Sequence, residues 1–174
     1  MSQADLARLR LNGRATEAQF AQNPLPVVEA MGYALAEVHG RSNEELPPRT
    51  QAEVDSALKA AATEPMPHPY TWASGDTVRA MLSEGVPGDV PAVWTHGAPT
   101  VANTELANSV ATFDDTGTDG SDPAERDLAI ALRSIAETFS PEATRTFLDA
   151  YEEGGGRLPH AATLDWYALV AAFR

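Results

Sequence analysis

The sequence has no cysteine and a single lysine, Lys59. The first absence excludes a disulfide framework, thiolate nucleophiles and cysteine metal sites, and it fits a reducing, cytoplasmic setting. Positive charge is scarce altogether. Twelve Lys and Arg stand against 25 Asp and Glu, giving a formal net charge of -13 and a pI near 4.5. A field of that sign repels phosphate backbones and anionic lipid, which argues against nucleic acid and bare membrane surfaces as partners. It favours a small cationic molecule or a basic peptide, unless the charge serves only solubility. Long apolar runs are missing too: none approaches the ~18 residues of a membrane span. The opening MSQADLARLRLNGR lacks the apolar stretch of a signal peptide. Alanine is abundant and all basic residues but Lys59 are arginine, a composition that suggests a GC-rich bacterial genome.

What is present is enough for one core. With 174 residues, 43% of them hydrophobic, a single domain is expected. We place an N-terminal arm or short helix over 1–22 and one domain over 23–174. Asn23-Pro24 reads as a cap followed by a first-turn proline. Leu25, Val28, Met31, Leu35 and Val38 then recur at helical steps up to Gly40. A second helix is expected over 51–62 with Thr50 as its cap, and a third from the cap Ser74 through Glu84, stopped by Gly85. The segment 64–74 is too rich in proline for regular helix. Residues 86–122 turn to Pro, Gly, Thr and Asp, with β-prone stretches at Ala92–Thr95 and Val110–Phe113 around a turn at 107–109. Asp122-Pro123 and Ser140-Pro141 open two further helices, and 160–173 is the last. The fold class is therefore mainly α with one small β-hairpin.

Chemistry-bearing residues concentrate in the loop-rich part. Residues 94–103 read Trp-Thr-His-Gly-Ala-Pro-Thr-Val-Ala-Asn, and Thr112-Phe113-Asp114-Asp115 and Asp122-Pro123-Ala124-Glu125-Arg126-Asp127-Leu128-Ala129 follow. This constellation resembles the aminoglycoside and macrolide phosphotransferases, whose catalytic loop is His-Gly-Asp, four residues, then Asn. His96, Gly97 and Asn103 fall at that spacing, and Ala98 stands where the family has its aspartate. In kinase-type loops that aspartate accepts the substrate hydroxyl proton and the asparagine holds a metal. The family's metal-binding aspartate maps onto Asp114, eight residues before Asp122, or onto Asp115 when counted back from Asp127. The implied fold is the C-lobe of the protein-kinase-like (aminoglycoside phosphotransferase) fold.

The resemblance assigns further roles. Asn103 and Asp114 inherit the metal positions, with Asp115, Asp119 and Asp122 near enough to add oxygen ligands. His96, Asp114 and Asp115 are the candidate acids or bases. Asp127 is expected to hydrogen-bond the loop backbone. His68 and His160 are isolated. Trp72, Trp94 and Trp166 read as core or rim packing, with Tyr70 and Trp72 able to border a pocket. Ser74 and Ser83 show no His/Asp relay. The family's nucleotide-covering N-lobe has no counterpart upstream of the loop: there is no glycine-rich strand-turn-strand, and Lys59 sits on an expected C-lobe helix.

Three functions follow from this pattern. The first is a catalytically degenerate lobe that binds a small cationic molecule, a peptide or a protein partner, and that forms a homodimer through the face an N-lobe would cover. The second is a non-phosphoryl enzyme of a bacterial biosynthetic pathway reusing the kinase cleft. The third is half of a split phosphotransferase supplied with an N-lobe by another chain. No cofactor is expected, and Mg only where a nucleotide or phosphate is bound.

Overall fold

The computed structural model describes residues 10–63 and 65–173, so the first nine residues of the expected arm lie outside them. In chain order the elements are strand β1 (Gly13–Arg14), a short helix α1 (Ala18–Ala21), α2 (Leu25–His39), α3 (Thr50–Thr63), α4 (Gly75–Ser83), β2 (Ala92–Thr95), β3 (Thr104–Ala107), β4 (Val110–Phe113), β5 (Gly120–Pro123), α5 (Glu125–Thr138), α6 (Ala143–Glu153) and α7 (Ala161–Ala171). Single 3-10 turns lie at Tyr70–Trp72 and Val101–Asn103.

Helix α2 is amphipathic for the reason its spacing implies: Val28, Met31, Leu35 and Val38 are buried, and Val27 joins them. Leu25, read as part of the same face, is 48% exposed, although Val27 and Val28 in the same turn are fully buried. The buried face of α2 lies against α6 at close range. A Cβ added to Gly32 would stand 2.5 Å from the Phe147 carbonyl and 2.9 Å from the Ala150 methyl, so glycine at this position sets how near the two backbones come. Helix α5 sits between two apolar clusters. Leu128, Ala131 and Ile135 pack with α2 and α6, whereas Ala129 packs with α3, α4 and α7 through Val54, Val78 and Leu169. Ser74 caps α4 as its position implies, its Oγ accepting from the Thr77 amide at 3.1 Å.

The β-structure differs from the single hairpin expected. Ala92–Thr95 and Val110–Phe113 are both strands, but they do not pair with each other. β4 pairs antiparallel with β3, which pairs in turn with β1, while β2 pairs antiparallel with β5. The turn explains the partner. Ala107 faces Val110, and Asn108 and Ser109 between them both have positive φ, 53° and 66°. That is the two-residue primed turn whose twist suits a tight hairpin, so β4 must fold back on the residues immediately before it. Ser109 takes a position that favours glycine because its Oγ accepts the Leu11 amide at 2.9 Å. Asp122-Pro123 is likewise a strand end and not a helix cap. Pro123 is tolerated because β5 is an edge strand, bonded only to β2. Asp122 caps a different helix: it accepts from the Arg49 and Thr50 amides at 3.1 and 2.9 Å and from the Thr50 hydroxyl at 2.7 Å. Thr50, read as the cap of α3, is instead its first residue and a donor.

Candidate functional site

The loop 96–103 leaves β2 and returns through the 3-10 turn into β3. Its shape is dictated by a buried carboxylate. Asp127, on the first turn of α5 and 0% exposed, accepts from the His96 amide at 2.6 Å and the Gly97 amide at 2.8 Å, the backbone role expected of it. Gly97 has φ +84°, and a Cβ there would stand 2.5 Å from the Thr118 carbonyl, so only glycine fits at this bend. The other side of Asp127 meets His39, whose Nε2 is 3.2 Å from Oδ2 and whose Nδ1 is 2.7 Å from the Tyr151 hydroxyl. Burial alone pushes the Asp127 carboxyl up; the bond to His39, the charge of Arg126 and the Gly97 amide outweigh it and hold the group below its usual range. Arg126 is just as deeply placed. Its guanidinium bonds Glu53 at 2.5 Å and Thr95 Oγ1 at 2.8 Å and lies 3.6 Å from Asp122. A buried cation with that many partners fixes the relative placement of α3, β2 and α5.

The expected site residues have plain positions. His96 is buried and its Nε2 is 2.8 Å from the Asp114 carbonyl, a backbone tie and not a free base. Ala98 presents a methyl at the loop position in question. Asn103 donates its amide to the Ala98 carbonyl at 3.1 Å, across its own loop. Asp114 closes the hairpin, its amide bonding the Asn103 carbonyl at 2.8 Å. Its carboxylate is gripped by Arg14, Nη1 to Oδ1 at 2.9 Å and Nη2 to Oδ2 at 2.6 Å, with Nη2 also donating to the Ala102 carbonyl at 2.8 Å. That fork lowers the Asp114 pKa and raises that of Arg14. Asp115 makes a local turn, accepting from the Gly117 amide at 2.9 Å, and Asp122 is consumed by the cap of α3.

These residues do not fit a divalent cation as they stand. Mg²⁺ takes oxygen ligands in near-octahedral geometry, whereas both Asp114 oxygens already accept from a guanidinium, and Asn103, tied to the loop through its Nδ2, has one side-chain oxygen to offer. Among the described residues no group of three or more His, Asp or Glu side chains could hold a metal.

Beside Ala98 lies a cavity of about 360 Å³ lined by Thr100, Ser134, Glu137 and Ala171 among others. A groove of about 420 Å³ adjoins it, with Tyr70, Leu132, Leu164 and Asp165 in its walls. Arg133 and Glu137 line both. Their side chains pair at 2.8 Å, and Arg133 also bonds the Ala171 carbonyl at 2.8 Å. Trp72, which could have bordered this groove, is 72% exposed, and it is Tyr70 that lines the wall. Trp94 packs half-buried on the core under Arg41, and Trp166 is buried with its Nε1 donating to the Met81 carbonyl at 3.3 Å.

This arrangement of helices and small sheets recurs in solved structures. An aminoglycoside-3'-phosphotransferase of type VIII superimposes with a TM-score of 0.75 at 23% identity, over 95% of this chain and 67% of that one. The fold is that of the C-lobe of the aminoglycoside-phosphotransferase-like kinases. The chain also resembles the aminoglycoside phosphotransferase APH(3'')-Id from Streptomyces rimosus in complex with ADP and streptomycin, with a TM-score of 0.65 at 18% identity over 94% of this chain and 67% of that one. A macrolide 2'-phosphotransferase from Brachybacterium faecium matches with a TM-score of 0.57 at 20% identity, over 83% of this chain and 50% of that one. The chain thus spans half to two thirds of the length of these structures. No protein-family model matches it, and no curated protein matches it in sequence.

Four residues of the site escaped the sequence reading: Arg14, His39, Glu53 and Arg126. His39 at the buried end of an amphipathic helix, and Arg126 within a carboxylate-rich stretch, were visible as oddities. Apart from Asp122, four residues before Arg126, their partners are distant in sequence, which no spacing rule reaches.

Proposed function

We propose that this lobe binds an amine-bearing small molecule in the cleft beside its His-Gly loop and does not phosphorylate it. Ala98 carries the reading. A methyl stands where the resemblance places the proton-accepting carboxylate, and general-base help of that kind is worth about 10²–10⁴ in rate. The cleft supports the amine. Asp165 sets a carboxylate on its rim, Glu137 a second that it shares with Arg133, Tyr70 offers an aromatic wall, and the surrounding chain carries a net charge of -13. A cation over an aromatic face beside a carboxylate gains from both. One of the similar structures holds streptomycin, a polycation of this chemical kind.

The test is calorimetry of the full chain with streptomycin, without nucleotide or metal. We expect saturable one-site binding that Glu137→Gln or Asp165→Asn weakens about fivefold each, the scale of one exposed ion pair. With ATP and Mg²⁺ added, mass spectrometry should find the streptomycin unmodified. Absence of binding, or a phosphorylated product from the wild-type chain, would sink the proposal. So would Ala98→Asp alone sufficing to switch transfer on, since that would leave a working phosphotransfer site around a single missing group.

A further inference from the structure

The fold's kinases imply a divalent cation at the end of the hairpin, and the residues here disagree with one. We infer that Arg14 is the resident cation of this site: its guanidinium fills the place beside Asp114 that a metal would take, and shuts metal out. Two observations converge. First, the contact is a two-pronged fork, one nitrogen to each Asp114 oxygen, with the second nitrogen also donating to the Ala102 carbonyl. A cation bonded to both carboxylate oxygens occupies the one charged ligand a metal would have here. Second, the arginine is delivered by the sheet. Arg14 pairs with Glu105 in the β1–β3 ladder, and the Glu17 carboxylate accepts its amide at 2.9 Å, so its backbone is held where the side chain reaches across to the end of β4.

The energetics concern competition rather than stability. Both side chains are about two-fifths exposed, and such a pair contributes little to folding. A metal held by one carboxylate and one amide, without phosphate, is also weak, because Mg²⁺ gives up its water reluctantly. Arg14 competes from a tether, at an effective concentration on the order of mM or above. At ordinary metal concentrations the tethered guanidinium holds the carboxylate.

The experiment is a Mn²⁺ titration of the full chain, with free Mn²⁺ read by electron paramagnetic resonance. The wild type is expected to bind no Mn²⁺ that Asp114→Asn abolishes. Arg14→Met, which keeps the aliphatic stem, is expected to gain one site at least tenfold tighter than any in the wild type, and Arg14→Met with Asp114→Asn to lose it. Wild-type binding that disappears in Asp114→Asn overturns the inference, and this arm stands even if Arg14→Met does not fold. A folded Arg14→Met chain, checked by circular dichroism, that gains no site overturns it as well. Streptomycin plays no part in these readings, so the amine-binding proposal and this one fail separately.

Discussion

Asp127 is the residue whose ionisation the whole site depends on. It is fully buried, it holds the loop by two amides, and its pKa lies below the ordinary carboxylate value of 3.8. A carboxyl depressed in the folded state contributes stability that is present above its unfolded pKa and lost as pH falls through the folded one. Asp127→Asn should therefore destabilise the chain by about 3–5 kcal/mol near neutral pH, the range for breaking a buried charge network. The gap between the two proteins should narrow below about pH 4. Urea midpoints measured from pH 2 to 7 check both parts, and a gap that persists unchanged at pH 2 would mean that the carboxylate charge is irrelevant. At this scale the sequence was informative about residue types and silent about partners. His96 and Asn103 were named from the spacing within their own loop, and Asp114 from its spacing to Asp122. That Asp114 meets Arg14 and that Asp127 meets His39 were not, since those pairs are separated by 100 and 88 residues.

At the scale of elements, the helices were legible and the strands only half so. A helix announces itself through an apolar face and its stops: Gly85, with φ +82°, follows α4 as read. Four-residue strands carry no such redundancy. Thr104–Ala107 has little β-branched character, and its role comes from the primed turn that follows it. Helix contact is decided by shape as much as by hydrophobicity. Because a Cβ on Gly32 would meet the backbone of α6, Gly32→Ala is expected to cost about 1–3 kcal/mol despite the better helix propensity of alanine. Thermal or urea unfolding measures it, and a neutral or stabilising result would show that α2 and α6 can move apart freely.

At the scale of the whole molecule, the dominant property is charge. A net charge of -13 on 174 residues concentrates cations around the surface, and salt weakens that attraction over a Debye length of about 8–10 Å. The affinity for streptomycin is therefore expected to fall several-fold between roughly 50 and 300 mM NaCl, while an uncharged sugar of similar size shows no such dependence. Isothermal titration at several ionic strengths provides the measurement. The fold class was legible at this scale because the loop motif and the flanking helices agreed on it, and the solved structures share that fold at 23% identity or less.

The cap of α3 reaches beyond stability. A helix usually opens on amides answered by a neighbour a few residues away, but here the answering carboxylate, Asp122, lies 72 residues further along. The first turn of α3 is thereby tethered to an edge strand beside the loop, and a fluctuation that frees β5 also bares the amides of Arg49 and Thr50 to solvent. The edge strand beside the loop and the start of a distant helix open as one unit.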